Sequence, residues 1–435
     1  MLDRRNQFME DQNQSLFGRP WRSWPSVTIY LLLFGIGLFV GAMQVDLLTG
    51  VPSHGRYHPS DMDDLRKQLL GHSILPELYA AGPDHPAWLM ICGVYQKVSV
   101  AVGLTGMRLW NAMMPVLLGF NLCLFLALIR RLGFTLFQGV SLTAVFIATG
   151  ATITWSVVLE THVLAPTSLL LAALILSSPR LMLRVWSRPS AVDLGVFGFA
   201  IALSASITIT NAMLGILTVL HARSIRRPQP LFFIERTVRR FPTLLIGGLV
   251  AVGILAVVHL AGWYLWKDPE MRQFLEIFQE RHLIEHMAGG WSDSFLSLAW
   301  IAPPISEYSG TPPITMLALK RNWMTFPAYI SGFVVFILTL CSLRVTPARA
   351  MFIPAFALFA IALHSIYGRG ESFLYSANYT WATVIAIGLL ARAVVPRFFA
   401  PIACVIALAL FIVNWAIWNA GVDWIIMNGF ILPEP

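Results

Sequence analysis

Residues 84–104 read DHPAWLMICGVYQKVSVAVGL. From Ala87 to Leu104 the stretch is apolar enough to pass for a membrane span, and whether it crosses decides which face every later segment occupies. The surrounding chain of 435 residues is 57% hydrophobic and 12% charged, about half the charged share of a soluble globular protein. Its apolar residues come in runs close to the ~20 needed to cross about 30 Å of hydrocarbon. A water-soluble fold is therefore excluded, and the chain reads as an all-α, polytopic membrane protein. The apolar runs are 27–45, 87–104, 109–129, 136–155, 161–178, 193–208, 210–222, 243–266, 325–343, 350–367, 379–395 and 399–420. The first is longer than the apolar core of a cleaved signal and follows a leader with Arg4, Arg5, Arg19 and Arg22, so it reads as an uncleaved anchor.

If all twelve runs crossed from a cytoplasmic N-terminus, Arg130-Arg131, Arg180/Arg184/Arg188, the arginines between Arg223 and Arg240, Arg344/Arg349 and Arg392/Arg397 would all face outward. So consistent a violation of the positive-inside rule is not credible. It disappears if 87–104 enters and leaves through the outer leaflet, which leaves about 11 transmembrane helices plus one non-crossing interfacial helix. Of the 30 Lys and Arg residues 19 then lie inside, and of the 22 Asp and Glu residues 17 lie outside. Twelve spans with the N-terminus outside would also place those later arginines inside, but would put the basic leader outside and the acidic first loop inside. The formal charge of +8 is thus a matter of topology, and nucleic acid is not implied. Cys92, Cys123, Cys341 and Cys404 all sit within apolar runs, so they predict neither disulfides nor zinc and are read as inert core residues.

On this reading the outer face carries the chemistry, in segments 46–108, 267–324 and 368–378. Asp61, Asp63 and Asp64 open a short helix whose first turn is acidic, a position that also suits a helix cap. Asp84-His85-Pro86 leads the non-crossing helix, with Pro86 in its first turn and His85 at the interface, where an imidazole can bind phosphate or pass protons. Glu160 and His162 lie at the hinge of a helical hairpin, which a solvated turn would also explain. Arg369, Glu371 and Tyr375 share another outer turn, where Arg369 can hold an anionic phosphate, or pair with Glu371 at little energetic gain. Residues 269–287 form an amphipathic pattern with His282 and His286 one helical turn apart, half a metal site or the polar face of an interfacial helix.

Taken in order, Asp61/Asp63/Asp64, Asp84-His85-Pro86-Ala87-Trp88-Leu89, Arg130-Arg131-Leu132-Gly133 and Leu159-Glu160-Thr161-His162-Val163-Leu164 resemble the GT-C superfamily of integral-membrane glycosyltransferases. The likeness covers roughly residues 25–225. His85-Pro86-Ala87 stands where many relatives have His-Pro-Pro, and the acidic cluster lies some fifteen residues beyond Asp46 instead of close to the first span. The resemblance implies a cytoplasmic leader (1–26), a catalytic membrane core (27–225, with first outer loop 46–108) and a variable membrane half (226–435, with outer loop 267–324). It implies transfer of a sugar from a polyprenyl-phosphate donor to a lipid, glycan or protein acceptor, in a bacterial inner membrane with the site facing the periplasm or exterior. Asp63 is expected as general base, with Asp61 and Asp64 as substitutes. Arg369, His85 and Tyr375 are expected at the donor phosphate, and Glu160, His162 and Glu371 at the acceptor or at a divalent metal ion. Two other readings stand beside it: a transporter or flippase for a lipid-linked or anionic solute, and a lipid-linked glycan ligase or polymerase working from the 267–324 segment.

Overall fold

The computed structural model describes residues 24–49, 87–104, 107–156, 161–187, 189–222, 245–258, 260–261, 294–304, 308–309, 318–319, 323–347, 350–365, 373 and 375–428. Helices α1 (Trp24–Thr49), α2 (Trp88–Val102), α3 (Met107–Arg131), α4 (Leu136–Ala148) and α5 (Gly150–Trp155) lead to a 3-10 turn at Thr161–Leu164. Then follow α6 (Ala165–Leu176), α7 (Pro179–Ser187), α8 (Ala191–Ala205), a 3-10 turn at Ile209–Ala212, α9 (Met213–Ala222) and α10 (Leu245–Val258). A 3-10 turn at Phe295–Leu298 precedes a small antiparallel pair, Tyr308–Ser309 with Ala318–Leu319, and the chain closes with α11 (Phe326–Ser342), α12 (Phe352–His364), α13 (Ser376–Val394) and α14 (Phe399–Asn428). Each of the apolar runs in the sequence coincides with a helix or a pair of helices. Four stretches, Val27–Leu47, Arg108–Arg131, Ser376–Val394 and Phe399–Asp423, are long and apolar enough to cross a membrane, and several shorter apolar helices surround them. The fold is all-helical in its main elements and belongs to an integral membrane protein.

The helices pack through small residues where backbones must approach. Gly37 and Gly41 on α1 face Gly119 and Pro115 on α3, and a Cβ at Gly37 would stand 2.4 Å from the Gly119 Cα. Close approach of this kind supplies the dispersion and shape fit that replace the hydrophobic effect between helices in lipid. α13 is the centre of the bundle: it packs against α4, α5, α6, α11 and α12, and its residues from Ser376 to Ala386 are all buried. α14 lies along α4.

One end of the bundle is basic. There Arg130-Arg131-Leu132-Gly133 ends α3: Gly133 takes φ +89°, Gly133 N donates to Arg130 O (3.1 Å) and Phe134 N to Ile129 O (3.3 Å), a left-handed glycine cap. Thr135 and Gln138 then start α4 with reciprocal capping bonds, as Ser190 and Asp193 start α8. Arg131 donates to Leu174 O near the end of α6, and Arg392 reaches Gly133 O (3.0 Å) while its guanidinium lies 4.3 Å from the Phe134 ring centroid. α7 lies at this end too. It is an amphipathic helix with Met182 and Val185 buried and Arg184 exposed, held to the start of α8 by Arg184 and Asp193 (3.5 Å).

Other contacts anchor α2. Arg131 ties the ends of α3 and α6 together and Asn121 meets Thr167, so the two helices run parallel to a shared basic end, with the start of α6 about 18 Å short of that of α3. α7 returns the chain so that α8 runs away from the basic end. The backbone N–H of Ala87 donates to Ser206 O (2.8 Å), just past the end of α8. At its other terminus α2 is capped by Gly103 (φ +68°) and turns straight into α3, whose Trp110 N donates to the Tyr95 hydroxyl (3.0 Å).

Two features depart from the sequence reading. The 136–155 run is not one helix: it breaks at Thr149, whose backbone is extended (ψ 148°). The 267–324 segment is not wholly outside the helices: residues 294–304 enter the bundle, with Leu296, Leu298, Ala299 and Ala302 buried. The two are one construction. Trp300 O accepts from Gly150 N (2.7 Å) at the helix break, and Asn414 Nδ2 donates both to Trp300 O (2.8 Å) and to Ala148 O (2.9 Å). Asn414 Oδ1 accepts from Ala302 N (2.9 Å), Ser331 Oγ accepts from Trp300 N (3.0 Å) and Ile301 N (3.2 Å), and the Trp300 indole donates to Thr383 Oγ1 (2.9 Å). Irregular backbone inside a membrane bundle survives only when its polar groups are satisfied by protein in this way. At 1.5 Å per residue, Ser331 and Thr383 sit about 8 and 10 Å from the starts of α11 and α13, and Ala148 and Asn414 about 18 and 22 Å from the starts of α4 and α14, a common level. Gly150 and Gly332 leave room for the insertion, since Cβ atoms there would stand 2.4 Å from Ala302 N and 2.0 Å from Phe295 O.

The cysteines are corrected in part. All four are free thiols; Cys92 is buried and Cys123 half-buried, but Cys341 and Cys404 are exposed on the outside of the bundle rather than in its core.

Candidate functional site

Asp61, Asp63, Asp64, His85, Glu160, Arg369 and Glu371 lie outside the described residues, as do Arg281, His282, Glu285 and His286. His162 belongs to the 3-10 turn Thr161–Leu164, and Tyr375 immediately precedes α13. The described flanks of these segments nevertheless meet. The Trp155 indole, at the end of α5, donates to Phe373 O (3.1 Å), and the two rings lie 5.7 Å apart. Trp155, just before segment 157–160, and Phe373, just after segment 366–372, are therefore neighbours.

Beside that junction a cleft runs between α3, α5, α6 and α13. Asn121, Thr152, Ser156 and Thr380 supply its polar atoms, and Leu118 and Phe146 are among its apolar walls. It offers about 20 Å³ to the centres of water-sized molecules. The walls are held by a polar lattice. Buried Gln44, near the end of α1, donates its amide to Ile153 O and accepts from Ser156 Oγ (2.9 Å), so α1 is tied directly to the end of α5. Asn121 Oδ1 accepts from Thr167 Oγ1 (2.7 Å), joining α3 to α6. Thr380 Oγ1 donates back to Ser376 O (2.8 Å). Among the described residues no charged side chain lines the cleft.

A second polar group sits where α12 meets α13. Tyr375 stacks on His364 (centroids 4.6 Å, 27°), and Tyr379 meets the same imidazole edge-on (5.8 Å, 73°). Asn378 lies three residues from Tyr375 and one from Tyr379, on the helix face these contacts define. Its amide oxygen and nitrogen and the Tyr379 hydroxyl are buried without hydrogen-bond partners among the described residues. Sequence reading placed Tyr375 at the donor phosphate and did not assign His364 to the site. The available signal was Tyr375, Asn378 and Tyr379 at i, i+3 and i+4, directly after the Arg369/Glu371 turn.

Among the described residues no three His, Cys, Asp or Glu side chains converge as metal ligands. Nor do they bury a second carboxylate beside Asp193, the capping residue at the basic end. No protein-family model, curated protein or solved structure matches the chain.

Proposed function

We propose that this protein is a membrane glycosyltransferase that moves a sugar from a polyprenyl-phosphate donor to a lipid, glycan or protein acceptor on the outer face of the membrane. The topology proposed with it has about eleven spans and a cytoplasmic N-terminus, with α2 lying in the outer leaflet and the site facing the periplasm or exterior. The observation that carries this reading is the Trp155–Phe373 junction. It joins Trp155, which lies five residues before Glu160 in the chain, to Phe373, which follows Arg369 and Glu371. The basic end of the bundle, with Arg131, Arg184 and Arg392, supports a cytoplasmic assignment for that face.

In this scheme the acceptor hydroxyl attacks the anomeric carbon as the polyprenyl phosphate departs. Asp63, with Asp61 or Asp64 as substitute, takes the acceptor proton. A positioned base of this kind contributes roughly 10²–10⁴-fold in rate. Arg369 and His85 neutralise the leaving phosphate, where charge develops most strongly, and Tyr375 supports them. Glu160, His162 and Glu371 orient the acceptor, and a divalent ion held there would serve the same end. A helix in the outer leaflet suits a lipid-linked donor, which has to arrive sideways from the bilayer. The translocation alternative has less support, because charged side chains along a path are its usual mark and the described interior holds only Asp193, at the wrong end.

The test is direct. The purified chain in lipid nanodiscs is expected to release polyprenyl phosphate from a labelled polyprenyl-phosphate hexose when membrane extract supplies acceptors, with label appearing in product. Accumulation of the intact donor across a vesicle wall with no bond cleavage would instead favour transport.

A further inference from the structure

Part of the hydrogen bonding around the cleft is already used. Ser156 gives its proton to Gln44 Oε1, whose amide is oriented by its bond to Ile153 O. Thr380 Oγ1 lies within bonding distance of Ser376 O. Thr149 Oγ1 has both Phe146 O (2.8 Å) and Thr152 Oγ1 (3.0 Å) within reach of its one proton, and Phe146 O also accepts from Thr149 N (3.3 Å). Turning Ser156 toward the cleft would strip buried Gln44 Oε1 of its partner, which is costly, whereas Ser376 O keeps its helical N–H donor when Thr380 turns. The cleft therefore presents Ser156 as an acceptor, and Thr152 and Thr380 as hydroxyls able to donate or accept. The Asn121 amide nitrogen is a further donor, since Asn121 Oδ1 is engaged by Thr167.

That pattern selects a ligand chemistry. A phosphate would meet no cationic side chain among the described lining residues, and an unaccompanied cation would meet no carboxylate among them. An alcohol both donates and accepts, and its C–H faces suit walls such as Leu118 and Phe146. About 20 Å³ for molecule centres admits about one or two oxygen-sized groups, so the edge of a ring enters and not a whole headgroup. We infer that the cleft between α3, α5, α6 and α13 seats a neutral hydroxyl-bearing edge of a sugar and excludes phosphate, with Thr152, Ser156, Thr380 and Asn121 determining specificity. This rests on the glycosyltransferase reading. The hydroxyls belong either to the sugar of the lipid-linked donor or to a sugar of the acceptor.

The experiment measures binding to the full-length protein in nanodiscs of three probes: a polyprenyl-phosphate hexose, the same polyprenyl phosphate without sugar, and a free methyl hexoside. The wild type is expected to prefer the sugar-bearing lipid to the bare phosphate by about tenfold. Thr152→Val, Thr380→Val and Asn121→Leu are each expected to erase the preference while leaving affinity for the bare phosphate unchanged, and Thr152→Ser to restore it. Equal binding of the two lipids together with hexoside binding that Thr152→Val abolishes supports an acceptor sugar as the source. A sugar preference that survives all three substitutions overturns the cleft assignment. So does the absence of any sugar-dependent binding while the bare phosphate still binds, an outcome that leaves the enzymatic reading standing. Failure to bind either lipid overturns both.

Discussion

Asp63→Asn is expected to lower sugar transfer by roughly 10²–10⁴-fold, the contribution of a positioned general base, without disturbing insertion or folding. The substitution keeps the size of the side chain and its capacity as a hydrogen-bond acceptor but removes the basic oxygen that takes the acceptor proton. Asp61→Asn and Asp64→Asn discriminate within the cluster. Whichever of the three matches the loss in the combined variant identifies the base, since groups acting as one unit are strongly non-additive. Arg344→Ala, in the turn after α11, serves as a control and is expected to retain full transfer. The measurement is transfer of labelled sugar by purified protein, compared at equal amounts of folded chain. Full activity in all three single variants and in their combination would remove the acidic cluster from the reaction. Loss of activity on replacing Arg281 and His286 instead would move the site to the 267–324 segment.

The largest stability effect is expected at Asn414. Its side chain holds three backbone groups from two parts of the chain: Ala148 O, Trp300 O and Ala302 N. Asn414→Leu removes all three bonds from a buried position; Trp300 O keeps the Gly150 N–H, so Ala148 O and Ala302 N lose their Asn414 partner, and at about 1–3 kcal/mol for each the loss is roughly 2–6 kcal/mol. Asn414→Asp keeps the acceptor for Ala302 N but sets a carboxylate oxygen against two carbonyls, so it is expected to be at least as damaging. Thermal unfolding of the purified variants in nanodiscs reads the effect. Because Trp300 also braces the helix break at Gly150, the same variants are expected to loosen α5 and the cleft wall that it carries. An Asn414→Leu protein as stable as wild type would show that the inserted segment is held by something other than this clamp.

Much of the bundle was legible because a membrane span announces itself by length and apolarity alone, and every apolar run from 27–45 to 399–420 proves helical. The breaks were not. Thr149 interrupts α4 and α5 inside an apolar run, since its extended backbone is stabilised by Trp300 and Asn414, which are about 150 and 265 residues distant in sequence. Residues 294–304 are too short and too irregular to register as a span, and they enter the bundle only because Ser331, Thr383 and Asn414 answer their polar groups. α7 hid among Arg180, Arg184 and Arg188, although Pro179 at its first position and the alternation of Arg180 and Arg184 with Met182 and Val185 were present. The candidate site divides along the same line. Residue chemistry pointed to Glu160, Arg369 and Tyr375, but the junction of Trp155 with Phe373 and the bond of Ser156 to Gln44 depend on tertiary contacts no linear pattern carries.

The claim on which the rest depends is that the acidic first loop and the Glu160 turn share one face of the membrane, which requires α2 to leave through the leaflet it entered. Single cysteines introduced as Asp63→Cys, Glu160→Cys and Arg131→Cys, with Cys92, Cys123, Cys341 and Cys404 replaced, can be challenged in intact cells with a membrane-impermeant maleimide. Labelling of positions 63 and 160 from outside, with position 131 reached only after permeabilisation, is the predicted result. Positions 63 and 160 reacting from opposite faces would mean that α2 crosses, and would separate the proposed base from the rest of its site.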